Sequence, residues 1–139
     1  MVPMLIAFAW VWFVLGIVSG AVLGLGFAKA DFMGGYDSWR RRLARLGHIS
    51  FFGTGGLVLA AALSAAALHA IGTPVSEDGF RVAGTLLVVG AVAMPTVCFL
   101  SAWRKPWRHV FFVPVLGLGG GVVGWTWLLI ENLFGKAGV

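Results

Sequence analysis

The chain has 139 residues and a formal net charge of +5, and 60% of its residues are hydrophobic while only 11% are charged. A soluble domain usually carries about 25% charged residues, and a chain this short has too much surface for its volume to hide so much apolar material. The mean hydropathy of +0.96 therefore excludes an ordinary soluble domain and predicts an integral membrane protein.

Four stretches are apolar enough to lie in a bilayer, and they cover about residues 3–27, 48–71, 82–103 and 110–132. They contain no Lys or Arg, and Glu131 is their one carboxylate. Each has about 20 residues or more, which matches a hydrocarbon core of about 30 Å at 1.5 Å per residue. Because a helix satisfies its own backbone polar groups in lipid, we predict an all-α fold. The predicted architecture is a four-transmembrane-helix bundle in a single domain over 1–139, with the first helix retained rather than cleaved as a signal peptide.

The connection between the first two helices contains an amphipathic segment at about 37–47. Asp37 and Ser38 precede the sequence WRRRLARL, which is typical of a capped helix start. On a helix, Trp39, Leu43 and Leu46 would share one face and the arginines the others. This pattern predicts a short helix lying on the membrane surface.

The cations are concentrated in two of the three connections. Residues 28–47 and 104–109 hold eight of the ten Lys and Arg. By the positive-inside rule, we predict a bacterial-type inner membrane with these connections in the cytoplasm and both termini outside it. Trp39, Trp103 and Trp107 lie beside the cations, as in an aromatic belt. The predicted partners of the basic residues are membrane lipids, not nucleic acid, because the cations lie at helix ends.

Two segments resemble each other within the chain. Residues 38–52 read SWRRRLARLGHISFF and residues 98–112 read CFLSAWRKPWRHVFF. Each has a small residue, Trp, two cations, a His and a Phe pair. This recurrence predicts two helical hairpins related by a pseudo-two-fold axis. The alternative is that both segments are cytoplasmic turns, which favour Trp, Arg and His in any case.

Glycines recur at four-residue spacing on the first and fourth predicted helices. Small residues on one face let helix backbones approach closely where no hydrophobic driving force exists. We therefore predict helix packing at these positions: Gly16, Gly20 and Gly24 in the first helix, and Gly117, Gly121, Gly120 and Gly124 in the fourth.

The histidines are the candidate site residues. His48 opens the second predicted helix and His109 opens the fourth, so both are expected at the same cytoplasmic depth. Two imidazoles at one depth in a helical bundle can hold the iron of haem b. Arg45, Arg104 and Arg108 would pair with the propionates. A quinone site would use the same elements, and lipid headgroup contact or a purely structural interfacial role are the alternatives.

The sequence favours a non-catalytic role. It contains no Ser-His-Asp set, no paired carboxylates and no H-E-x-x-H motif. Apart from Glu131 near the end of the fourth span, the helices also lack the acidic and basic side chains that mark pumps and coupled transporters. We predict an accessory membrane subunit that packs with other transmembrane subunits of a larger complex, an electron-transfer (respiratory) complex in particular, and that stabilises it or contacts quinone or lipid. The alternatives are a small haem- or quinone-binding protein using His48 and His109, and a small homo-oligomeric transporter or channel.

Overall fold

The computed structural model describes residues 1–135, and this part of the chain is helical and contains no strand. Four long helices follow one another, and all four are long and apolar enough to cross a membrane. Their bounds are Val2–Phe27 for α1, Trp39–Ala70 for α2, Glu77–Trp103 for α3 and Phe112–Phe134 for α4. Two short 3-10 segments precede α2 and α4, at Phe32–Gly34 and Lys105–Phe111.

Side-chain caps set the beginnings of α2 and α3. The Ser38 hydroxyl accepts a hydrogen bond from the Arg41 N–H at 3.2 Å, and the Ser76 hydroxyl accepts one from the Gly79 N–H at 3.3 Å. Such bonds satisfy a backbone donor that has no partner inside the helix. Because nothing interrupts the helix after this cap, the amphipathic segment 37–47 continues into the second predicted span, and α2 has 32 residues.

The helices pack in chain order. α1 contacts α2, α2 contacts α3, and α3 contacts α4, so that α2 and α3 are central while α1 and α4 lie at the edges. The cluster of buried apolar side chains at the core includes Val58, Phe80, Leu87 and Trp125. Most of the surface of α1 and α4 is left exposed.

Close helix approach depends on particular glycines. An ideal Cβ on Gly117 would lie 2.9 Å from the Cα of Gly90, and one on Gly121 would lie 2.7 Å from the Cγ of Leu87. Carbon atoms in favourable contact are about 3.5–4.0 Å apart, so α3 and α4 pack this closely only because these side chains are absent. Gly120 and Gly124 face α3 more loosely, with nearest atoms at 3.5 Å and 3.7 Å.

The basic connections share one end of the helices. The indole N–H of Trp39, at the start of α2, donates to the carbonyl oxygen of Ser101 near the end of α3 at 3.3 Å. We call this end, formed by residues 28–45 and 104–111, the basic end. The two similar segments differ in structure there, because Trp39 begins α2 whereas Trp103 ends α3. The pseudo-two-fold relation of the hairpins stays a prediction.

Candidate functional site at the basic end

His48 lies inside the α1–α2 interface. It is nine residues beyond Trp39, which is about 14 Å along the helix. The Nδ1 atom is 3.1 Å from the Ser19 hydroxyl oxygen, and the ring packs edge-on against Phe52 with centroids 5.6 Å apart. An ideal Cβ on Gly20 would lie 2.5 Å from His48 Cε1. The imidazole therefore occupies the space that the missing Gly20 side chain leaves in α1.

His109 has a different setting. It is exposed and lies in the 3-10 segment Lys105–Phe111, which packs against α3 and α4. Arg108 in this segment and Arg104, which follows α3, are exposed as well. Within residues 1–135, no hydrogen bond or ion pair joins His48 or His109 to each other or to the three predicted arginines at positions 45, 104 and 108.

These positions do not fit a haem held between the two histidines. His48 turns toward α1 at one edge of the fold, whereas the segment that carries His109 packs on the side of α3 and α4. An ideal Cβ on Gly20 would also overlap the His48 ring, so α1 lies directly against that side of the imidazole. The geometry gives the histidines separate surroundings.

A buried arginine ties α1 to α2 at the basic end. Arg41 is 6% exposed, and its Nη2 atom donates to the carbonyl oxygen of Phe27 at the end of α1, at 3.3 Å. Its guanidinium lies 4.2 Å from the centre of the Phe27 ring and 5.6 Å from that of Tyr36. Arg45 stacks on the same Tyr36 ring at 4.6 Å and donates to its carbonyl oxygen. Cations near a helix C-terminus are stabilised by its partial negative charge.

Sequence reasoning missed the role of Arg41, because it treated the three consecutive arginines as equivalent. The spacing along the helix does not separate Arg41 from Arg40, since Arg40 lies three residues before Leu43 and four before Ala44, which are both buried. The contact that distinguishes Arg41 is with Phe27 at the end of α1, which is 14 residues away in the sequence.

A groove crosses the basic end between the start of α2 and the end of α3. It has a volume of about 320 Å³, and a smaller pocket of about 180 Å³ adjoins it along four shared residues. We call it the Trp39–Trp103 groove after the two indoles that line it. Arg40 and Lys105 also line it, and none of its lining residues is acidic. The Trp–cation pairs of the two similar sequence segments therefore meet in one place.

Polar groups continue along the α1–α2 interface away from the basic end. The indole N–H of Trp12 donates to the Thr54 hydroxyl at 3.1 Å, and the Thr54 hydroxyl donates to the Ser50 carbonyl oxygen. Trp12 also packs edge-on against Phe51, with centroids 5.1 Å apart. A buried indole N–H needs such a partner, so this bond fixes the rotation of α1 against α2.

The end away from the basic end has its own cavity of about 550 Å³. Its walls are mostly apolar, and His69 and Glu77 are its titratable lining residues. Both are exposed and form no hydrogen bond with each other. Among residues 1–135, no group of three or more His, Cys, Asp or Glu is arranged to hold a metal ion.

Comparison of the chain with protein-family models, with curated proteins and with solved structures finds no match.

Proposed function

We propose that this chain is a non-catalytic integral membrane subunit, whose exposed helix faces pack against transmembrane helices of a larger complex. An electron-transfer complex is the host that we propose, and the role of the chain there is to stabilise its neighbours and contact lipid. Four helices of sufficient length and apolarity support the membrane location.

The observation that supports a partner most directly is a set of glycines that face open space. Gly53 and Gly56 of α2, Gly24 of α1 and Gly119 of α4 have no atom within 4 Å of an ideal Cβ. Gly in a helix interior is less stable than Ala by about 0.5–1 kcal/mol, and a Gly without a close neighbour allows no close contact within this chain to offset that loss. Close approach of a further helix would supply such a contact.

The orientation that we propose has the basic end in the cytoplasm of a bacterial-type cell, with both termini across the inner membrane. The asymmetry of charge supports it, since the basic end holds eight cations. Single cysteines introduced in a Cys98→Ala background test it. Ala30→Cys should react with an impermeant reagent only from the cytoplasmic side and Asp78→Cys only from the opposite side. Labelling of both from one side would contradict this orientation.

The partner proposal is tested by purification in mild detergent and mass spectrometry of attached proteins, with two variants. Gly53→Leu and Gly119→Leu make the same change in open space on different helices, so neither should unfold the chain. We expect one of them to lose the attached subunits, which identifies the interface face, and the other to keep them. A chain that purifies alone, or two variants that both retain every partner, would contradict the proposal.

A further inference from the structure

The cations of the basic end differ in whether the chain itself supplies a partner. Arg41 and Arg45 bind backbone carbonyl groups and aromatic rings, and Arg42 Nε donates to the Asp37 carbonyl oxygen at 2.9 Å. Among the residues that the structure describes, the other five cations of the basic end have no side-chain hydrogen bond or ion pair. They are Lys29, Arg40, Arg104, Lys105 and Arg108, and of these Arg40 and Lys105 line the Trp39–Trp103 groove. The one ion pair within residues 1–135 joins Arg81 to Glu77, at the opposite end.

Arg40 and Lys105 come from different elements and line the same groove. Arg40 is in the first turn of α2, and Lys105 begins the 3-10 segment after α3. Because the lining contains no carboxylate, the two positive charges repel each other unless an anion lies between them. A volume of about 320 Å³ is at the lower limit of ligand pockets and fits a headgroup, not an entire lipid.

The rest of the lining has the chemistry of a membrane interface. Trp103 is 81% exposed at the end of α3, and Trp39 is held by its bond to Ser101. Indoles prefer the headgroup level of a bilayer. Met33 and Ala102 add an apolar surface to the same groove, against which the glycerol and the first methylenes of a lipid can lie.

We propose that the Trp39–Trp103 groove binds the phosphate group of an anionic phospholipid, with Arg40 and Lys105 as its cationic partners. This proposal rests on the membrane location in the proposed function. Free phosphate offers the same anionic oxygens, but the exposed indoles and the apolar lining favour the lipid. The site differs from the arginines predicted from the sequence, since Arg45 is held by Tyr36 and the groove contains neither Arg104 nor Arg108.

The experiment measures lipid retention by native mass spectrometry of the full chain, delipidated and titrated with phosphatidylglycerol or phosphatidylcholine. The test variants are Arg40→Gln and Lys105→Gln, singly and together. Arg42→Gln is the matched control, because it removes the same charge two residues away and outside the groove. A cation near an anionic membrane surface is worth about fivefold in affinity, so each test variant should weaken phosphatidylglycerol binding about fivefold.

The expected result is selective binding of phosphatidylglycerol that the test variants weaken and Arg42→Gln leaves within twofold. Equal loss in Arg42→Gln, or equal binding of phosphatidylcholine, would overturn the proposal. Displacement by inorganic phosphate at equal concentration would assign the site to free phosphate and overturn the lipid assignment. Trp103→Ala, at an exposed position, provides a second variant that should also weaken binding if the cation variants do not fold.

Membrane extraction of the unmodified chain separates this proposal from the one on which it rests. A chain that stays in alkali-washed membranes but binds both lipids equally would refute the groove and leave the membrane subunit standing. A chain released by the alkaline wash would refute the membrane location itself.

Discussion

The contact between Gly90 and Gly117 allows a sharp test of the α3–α4 interface. In Gly117→Ala, the new Cβ would lie 2.9 Å from Gly90 Cα, 3.0 Å from Gly90 N and 3.2 Å from the Leu86 carbonyl oxygen. All three are backbone atoms and cannot rotate away. Since carbon atoms need about 3.5–4.0 Å, the helices must separate by roughly 0.6–1 Å at this point. Separation of this size forfeits about a quarter to a half of each dispersion contact across the interface.

We therefore expect Gly117→Ala to lower the free energy of unfolding by about 1–3 kcal/mol, the usual cost of overfilling a packed interior. The matched control is Gly119→Ala in the same helix, where no atom lies within 4 Å. There the change should be neutral or stabilising by up to about 1 kcal/mol, because Ala is the better helix former. Equilibrium unfolding in detergent, followed by circular dichroism, measures both.

The difference in the free energy of unfolding between Gly117→Ala and Gly119→Ala tests the α3–α4 interface. A Gly117→Ala variant as stable as Gly119→Ala would mean that α3 and α4 do not approach as closely as described. Destabilisation of both by the same amount would mean that the loss comes from the helix itself and not from the interface.

Two further predictions concern the α1–α2 interface, and the same unfolding assay measures both. Gly20→Ala should lower the free energy of unfolding by about 1 kcal/mol, because the new Cβ displaces the imidazole of His48. This loss should vanish in a His48→Ala background, and additive effects of the two changes would refute the contact. Gly24→Ala, which places its Cβ in open space, is the control. Arg41→Lys keeps the charge but loses the hydrogen bond and the stacking at the end of α1, so it should lower the free energy of unfolding by about 1–3 kcal/mol. The same change at the exposed Arg42 should alter it by less than about 0.5 kcal/mol. Equal effects of the two changes would show that Arg41 does not link the helices.

The existence of the helices could be predicted from the sequence because apolar length alone determines it. The four predicted spans correspond to four helices long and apolar enough to cross a membrane. The rotation of each helix could not be predicted in this way. A span that is apolar on every side carries no periodicity to show which face is buried, and this is why the contacts of Trp12 with Thr54 and of His48 with Gly20 could not be foreseen.

The predicted pairing of His48 and His109 depended on reading both as helix-opening residues. The Ser38 cap moves the start of α2 back to Trp39, so that His48 becomes an interior residue of the helix. No comparable cap exists before His109, and the chain there forms a 3-10 segment that begins with Lys105 and Pro106. The two similar segments therefore differ in backbone geometry, because Ser38 caps the start of α2 and no side chain caps the start of α4.

The recurrence of Trp and cations in the two segments has an explanation that does not require a duplicated hairpin. α2 and α3 are antiparallel neighbours, so the first turn of α2 must lie beside the last turn of α3. Trp39 and Arg40 belong to the first turn of α2, whereas Trp103 is the last residue of α3 and Lys105 follows it. A requirement for an indole and a cation on each side of the Trp39–Trp103 groove would therefore make the segments 38–52 and 98–112 similar in sequence. A duplicated hairpin stays a prediction, and it would have to account for the difference that Trp39 begins α2 whereas Trp103 ends α3.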